Sequence, residues 1–492
     1  MSAPAPSAPA PSAPDPSVAA VVVLAAGQGT RMRSRTPKVL HPVGGRSMLG
    51  HVLAAAGPLG AAATVVVVGS GRDQVEAHLA AVAPQARSVV QEQQNGSGHA
   101  AALALATLTD LAGPVLIVNG DAPLLRGSTV QALVQAHHDA GDVLTVLTAA
   151  VPDPTGLGRI VRDAEGRVTA IVEERDATPE QRAITEVNAG VYVGDGAAVR
   201  AALARVGAAN DQGEQYLTDV LGLLVGDGAQ VGGHRAADPE DTLGCNDRRE
   251  LAARRRTLND RVLDDLMRGG VTVVDPATTW VDVTVEVGPD TVLHPGTQLL
   301  GATVVGEAAV VGPDCTLTDT EVGDGARVVR THAELAVVGP DVSVGPFAYL
   351  RPGTRLARGA KVGTFVETKN ASLGEGAKVP HLSYVGDATI GEGTNIGAAT
   401  VFVNYDGVDK HHTTIGAHAR TGADNMFVAP VTVGDGAYTA AGSVITTDVP
   451  PGAMGVARAA QRNVGGWVGR RRPGTPAARA ADAALDRTSD DA

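Results

Sequence analysis

Along residues 18–247 the apolar positions come in short bursts. Valine-rich runs at 21–24, 64–68, 115–118 and 143–147 are each soon followed by glycine or proline, and alanine- and leucine-rich stretches such as 49–56 and 98–108 lie between them. A short, continuous apolar run bounded by turn residues reads as a strand buried on both faces. Alternation with helical stretches then reads as parallel strands joined by crossover helices. The pattern changes at 248–269, where Leu251, Leu258, Val262 and Leu266 recur at near-helical spacing in a charged stretch that Gly269 and Gly270 would stop. A linking helix is expected there.

From residue 270 the period becomes six. Aliphatic side chains stand at Val287, Leu293, Leu299, Val305, Val311 and Leu317, and after one shift at Val344, Leu350, Leu356 and Val362. Glycine follows the aliphatic residue repeatedly, as in Val305-Gly306, Ile390-Gly391 and Val433-Gly434. A period of six fits neither a helix nor ordinary hairpins. It predicts a parallel β-helix in which each hexad forms one flat side, its aliphatic residue points inward, and three hexads close a triangular coil. Glycine is expected at the turns, where it adopts positive φ without steric cost. The competing pattern, a loop-rich β-sandwich, would not hold this period. Interruptions are expected at 368–372 and 402–414.

Composition narrows the picture. Hydrophobic residues make up 44% of the chain but aromatic ones only 2%, so the core must be built from Val, Ala, Leu and Ile. The net charge of -13 argues against general nucleic-acid binding, which needs a basic footprint. Cys245 and Cys315 are far apart and show no metal-ligand spacing, which fits a reducing compartment. No secretory signal and no stretch of spanning length are present, so a cytoplasmic chain without membrane insertion is expected. The expected order is a disordered Pro/Ala-rich tail (1–17), a Rossmann-like α/β domain (18–247), the linking helix (248–269), the β-helix (270–468) and a second disordered tail (469–492).

Candidate chemistry begins after the first strand. Leu24-Ala25-Ala26-Gly27-Gln28-Gly29-Thr30-Arg31-Met32, followed by Pro37-Lys38, lets backbone amides approach a phosphate and adds two fixed cations. Asn119-Gly120-Asp121 follows another strand, where an open α/β sheet binds its ligands. The string closely resembles the signature of sugar-1-phosphate nucleotidyltransferases. The resemblance implies uracil reading by Gln91, Gly96 and Ser97, within Gln91…Asn95-Gly96-Ser97-Gly98-His99-Ala100. It implies UTP or sugar-phosphate contacts from Leu24, Ala25, Ala26, Gly27, Lys38, Gly158, Glu173, Asn188 and Asn246, with Mg²⁺ held by Asp121 and Asn246. Arg31 and Lys38 would offset transition-state charge. Asn119 stands where that family often has Tyr.

The repeat carries a second constellation: Arg351, Lys369, His381, Tyr384, Asn395, and Asn404-Tyr405 in the second interruption. Arg351 and Lys369 suit a sugar phosphate, and histidine suits a general base near neutral pH. Together with the first half, in the same order, this resembles the bifunctional N-acetylglucosamine-1-phosphate uridyltransferase/glucosamine-1-phosphate N-acetyltransferase family over roughly 19–468. That likeness implies a left-handed β-helix and acetyl transfer from acetyl-CoA to glucosamine-1-phosphate. Uridylyl transfer from UTP to N-acetylglucosamine-1-phosphate would follow, supplying peptidoglycan and lipopolysaccharide precursors. His381 would be the base, and Arg351, Lys369, Tyr384 and Asn395 would hold the sugar phosphate. Ala398, Asn404, Tyr405, Ala423, Ala441 and Arg458 would hold acetyl-CoA, with the Ala398 N–H on the oxyanion. The likeness also implies a homotrimer with this site between subunits. Ala423 replaces a family Ser, and Arg458-Ala459-Ala460 replaces Arg-Val-Pro. The alternatives are a nucleotidyltransferase for another sugar, with a regulatory or oligomerising β-helix, and a non-catalytic scaffold.

Overall fold

The structure, a computed structural model, describes residues 17–108 and 113–490. The Pro/Ala-rich tail expected over 1–17 lies, apart from Ser17, outside the described residues. Two compact units are present, Met1–Thr303 and Val304–Ala492, so the first coils of the repeat group with the α/β domain.

In the first unit the apolar bursts form a twisted sheet. Its strands are β1 (Ala20–Ala25), β2 (Ala63–Val68), β3 (Arg87–Val90), β4 (Pro114–Asn119), β5 (Leu144–Ala150), β6 (Arg159–Arg162), β7 (Val168–Val172), β8 (Glu186–Asp195) and β9 (Val231–Arg235). The main order is β9-β5-β8-β4-β1-β2-β3, with β6 and β7 attached beside β8. β1 runs parallel to both β2 and β4, while β8 runs antiparallel to β4 and β5.

Alternate residues of each central strand serve opposite cores. Val21, Val23, Val66 and Leu116 pack on Leu49, Val52 and Leu133 of helices Met48–Ala56 and Gly127–Ala140. Val22, Val65, Val67 and Ile117 pack on Leu105 and Leu221 of helices Ser97–Ala106 and Asp219–Gly226. Both faces are covered, which is why the strands read as unbroken valine runs. Each such side chain contributes about 1.5–3 kcal/mol on burial.

The linking helix spans Arg248–Arg268, capped by Asp247, whose carboxylate accepts the Arg249 and Glu250 N–H groups. The first coils follow, with Val273 beside Leu293 and Val281 beside Leu299.

In the second unit the predicted inward residues stack in columns. One runs Val311, Val328, Val344, Val362, Val379, each 16 to 18 residues from the next, which is one triangular turn. Another runs Val305, Val322, Val338, Leu356, Leu373, Ile390, Ile415 and Val433.

Three expectations need correction. The interruption at 368–372 is not an insertion. Strand Glu367–Leu373 keeps the register, and Thr368 simply takes an aliphatic residue's inward place, its hydroxyl 2.9 Å from that of Thr354. Only the second interruption lengthens a coil, from Ile390 to Ile415. Second, most glycines that follow the aliphatic residue do not take positive φ. The left-handed corners are shared between other glycines, such as Gly325, Gly359, Gly376 and Gly393, and non-glycine residues such as Phe347, Phe365, Asn370 and Asp387. At Gly374 a Cβ would lie 2.6 Å from the Glu392 backbone nitrogen of the next coil, so close stacking explains the glycine. Third, the tail expected to be disordered over 469–492 holds helices Trp467–Arg471 and Pro476–Asp490, and its last two residues lie outside the described residues. The alanine content favours helix, and Pro476 stands at its first position, where the missing N–H costs nothing.

Candidate active sites

The chain leaves β1 outward through β2 and β3, then returns to β4 on β1's other side. Register pairs Leu24 with Asn119, so the segments beyond both strand ends sit at one level, at the sheet's switch point. A cavity of about 400 Å³ opens there, lined by Leu24, Ala25, Ala26, Gly27, Lys38, Gln91, Gly96, Ser97 and Asp121. A neighbouring cavity of about 480 Å³ shares Gly27 and Lys38 with it and takes in Arg31 and Asn246.

Lys38 is the hub. Its ammonium pairs with the Asp121 carboxylate and donates to Asn246 Oδ1 at 2.8 Å, while Arg31 donates to the same oxygen at 2.9 Å. Gly29 makes room for this at φ +60, where a Cβ would stand 2.6 Å from that of Lys38. The cavity floor is fixed from within. Buried Gln91 donates to the Gly96 carbonyl at 3.0 Å, Gln94 donates to the Ala26 carbonyl at 2.8 Å, and Ser97 Oγ accepts the Leu217 N–H at 3.1 Å.

Gly158, Glu173 and Asn188 form a separate cluster. A Cβ on Gly158 would lie 3.4 Å from Glu173 Oε1 and 3.6 Å from Asn188 Cβ. Burial pushes the Glu173 carboxyl above its usual range, and Thr218 donates to it at 3.2 Å. Asn188 donates to the Tyr192 hydroxyl at 2.7 Å and accepts the Gly190 N–H at 2.9 Å. Gly190 in turn lies against the Asn119 side chain at the cavity wall.

In the second unit, stacking gathers polar residues from successive coils around Asp387. This buried carboxylate accepts from Asn370 Nδ2 at 2.8 Å and from Asn404 Nδ2, and it pairs with Lys369 at 3.3 Å. Burial works to raise its pKa, but the hydrogen bonds from Asn370, Asn404 and Lys369 outweigh it and hold the group below the usual carboxylate range. Asn404 also donates to the Tyr384 hydroxyl at 3.4 Å. Arg351 pairs with Glu367 at 2.8 Å. Lys410 is held below the usual lysine range by the neighbouring Lys369 ammonium.

His381 ends strand Lys378–His381 and is exposed, around the Leu382 corner from Tyr384. Its carbonyl accepts the Ala399 N–H at 3.2 Å, whereas the Ala398 N–H makes no hydrogen bond among the described residues. Ala398, Ala423 and Ala441 occupy one corner in three successive coils: Asp424 donates to the Ala398 carbonyl at 2.7 Å, and Gly442 donates to that of Ala423 at 2.9 Å. Asn395 bridges Lys378 and Arg420 at the start of the same corner.

Residues 21–214 match the MobA-like NTP transferase domain family. Relatives that carry the name Bifunctional protein GlmU match nearly the whole chain. The chain is 63% identical to that of Streptomyces avermitilis over 468 residues, 95% of this chain and 97% of the relative. It is 59% identical to that of Thermobifida fusca over 477 residues (96% and 99%) and 58% identical to that of Nocardia farcinica over 473 (95% and 96%). The chain belongs to the GlmU family.

For a GlmU-family chain, the sequence-predicted residues are brought together to different degrees. Arg31, Lys38, Asp121 and Asn246 meet directly, Lys369 and Asn404 meet through Asp387, and Tyr384 joins them through Asn404. Arg351, Asn395, the alanine corner and His381 stand in adjoining coils without side-chain bonds to that knot among the described residues. Tyr405 and Arg458 are exposed and remote from it in hydrogen bonding, Tyr405 donating to the Gly407 carbonyl at 2.7 Å. Asp387, Glu367, Asn370 and Lys410 were missing from the expected set. Asn370 and Asp387 are one coil apart in sequence, so an offset by one turn was the available signal.

Proposed function

We propose that this chain makes UDP-N-acetylglucosamine in two steps, acetylating glucosamine-1-phosphate in the repeat and joining the product to UMP in the α/β domain. The near end-to-end likeness to bifunctional relatives carries this reading, because it spans both clusters in one order. In the first step the sugar amine attacks the acetyl-CoA thioester and His381 takes the amine's proton. The Ala398 N–H receives the developing oxyanion, and the CoA thiolate leaves. Arg351, Lys369, Tyr384 and Asn395 hold the sugar phosphate, and Asn404, Tyr405, Ala423, Ala441 and Arg458 hold acetyl-CoA. In the second step a phosphate oxygen of N-acetylglucosamine-1-phosphate attacks the α-phosphorus of UTP and pyrophosphate leaves. Gln91, Gly96 and Ser97 face the uracil, Gly158, Glu173 and Asn188 the sugar, and Arg31 and Lys38 the reacting phosphates.

The donor set suits Mg²⁺. Asp121 and Asn246 direct two hard oxygens at one point, which the Lys38 ammonium occupies as a stand-in cation. Among the described residues no three His, Cys, Asp or Glu side chains gather to hold a metal, so further ligands would be phosphates and water. When bound, Mg²⁺ supplies charge neutralisation to the triphosphate. No helix among the described residues is long and apolar enough to cross a membrane. A cytoplasmic homotrimer fits this reading, with exposed Phe347, Phe365 and Leu382 available for packing between subunits.

Two variants test the assignment. His381→Ala is expected to abolish acetyl transfer and spare uridylyl transfer. Asp121→Ala should do the reverse, by about 10²–10³-fold. A folded variant that silences both activities equally would sink the separation of the sites.

A further inference from the structure

The α/β domain holds another cavity, of about 550 Å³, that neither proposed site uses. Its size lies within the range of small-molecule sites, about 300–1,000 Å³. Helices Met48–Ala56 and Arg72–Val82 contribute apolar walls through Leu53, Ala54 and Val82, and Val82 is 52% exposed. The polar end is made by Arg46, Ser47 and His78. Ser47 Oγ lies 2.8 Å from His78 Nε2 and accepts the Gly50 N–H at 2.9 Å. No carboxylate lines the cavity, and Arg46 forms no ion pair among the described residues. Burial disfavours the charged form of His78, and Arg46 supplies the lining's one permanent charge. A charge without a counterion beside an apolar wall is complementary to a ligand with one anionic head and an apolar body.

We propose that this cavity is a regulatory site for a small amphipathic organic monoanion, its head on Arg46 and Ser47 and its flat apolar body against Leu53, Ala54 and Val82. The regulatory link runs through the chain itself. Arg46 and Ser47 close a hairpin with Pro42 and Val43 that begins just after Lys38. The Met48 N–H donates to the His41 carbonyl at 3.1 Å, and the His41 N–H donates to the Lys38 carbonyl at 3.2 Å. An occupant that draws Arg46 inward therefore displaces Lys38 without entering the UTP cavity. This last step rests on the reading of Lys38 given above; the binding site does not.

The full-length protein is titrated with 1-anilinonaphthalene-8-sulfonate, an aromatic monoanion, by fluorescence. One saturable site per chain is expected, unchanged by saturating UTP. Arg46→Leu should weaken it about tenfold, and Ala54→Phe, which fills the cavity, should abolish it. Both variants should retain uridylyl transfer in the absence of dye, showing that the α/β domain folds. The dye should lower kcat for uridylyl transfer and leave KM for UTP unchanged. Displacement by UTP, no saturable binding, or wild-type binding by both variants overturns the site. Dye bound through Arg46 with uridylyl transfer unaltered overturns the regulatory claim alone.

Discussion

Asp387 holds three side chains from the coils on either side of it, Lys369 and Asn370 from one and Asn404 from the other, and each would lose its anchor if the carboxylate were removed. Asp387→Asn keeps the shape but exchanges an acceptor for a donor facing Asn370, Asn404 and Lys369. Acetyl transfer is expected to fall about 10²-fold through misplacement of Lys369 and Asn404, with uridylyl transfer unchanged in the same preparation. The pH dependence follows from the depressed pKa of Asp387. A carboxylate whose folded pKa is lowered contributes stability above its unfolded value of about 3.9 and loses it as pH falls through the folded value. The difference in melting temperature between wild type and Asp387→Asn should stay constant from pH 7 to about 4 and close below that. A gap that widened on acidification would contradict the assignment.

At the scale of elements, two features behave differently from their appearance in sequence. Gly374 follows Leu373 as glycine follows the inward residue elsewhere in the repeat, but its role is to let one coil's backbone lie on the next. Gly374→Ala should therefore destabilise the repeat by about 1–3 kcal/mol through overpacking, read as a lower urea midpoint at unchanged slope. The linking helix joins two domains in sequence, yet it also reaches the segments that carry Asp121 and Asn246. Arg261 donates to the Leu124 carbonyl at 2.9 Å, just beyond Asp121, and pairs with Asp238 and fully buried Asp241 at 2.9 Å each. Glu250 accepts the Asn246 N–H at 2.6 Å. Arg261→Gln is expected to lower uridylyl kcat about tenfold by loosening the Asp121 segment, leaving acetyl transfer intact in a parallel assay. Period and burial were legible because they are one-dimensional: valine runs placed the sheet, and hexads placed the inward columns. Asp387 and Arg261 were not, because their meaning comes from coil stacking and helix docking. A sequence shows these only when positions one turn apart are compared.

At the scale of the molecule, the chain carries two clusters in two compact units, and motifs in each were legible separately. Their partners within each cluster were legible only where a family pattern supplied them, as with Asn246, more than 200 residues from Lys38. Because neither cluster shares a side chain with the other, each head should serve in a different molecule. A mixture of His381→Ala and Asp121→Ala proteins should convert glucosamine-1-phosphate to UDP-N-acetylglucosamine, with a lag while the acetylated intermediate passes through solution. Failure of the mixture, with each variant active in its own half-reaction, would mean the heads must be covalently joined.

The alanine corner at Ala398, Ala423 and Ala441 gives the repeat the character of a graduated ruler. Neighbouring strands lie about 4.8 Å apart, so three rungs present peptide groups over about 10 Å along the solenoid axis. On the proposed reading, a long, thin co-substrate laid against them would be measured by main chain, and side-chain drift at those rungs would leave the scale unchanged. Excising one whole turn should shorten the groove by a single graduation and keep the fold, changing the reach of the ligand that fits before any residue chemistry changes.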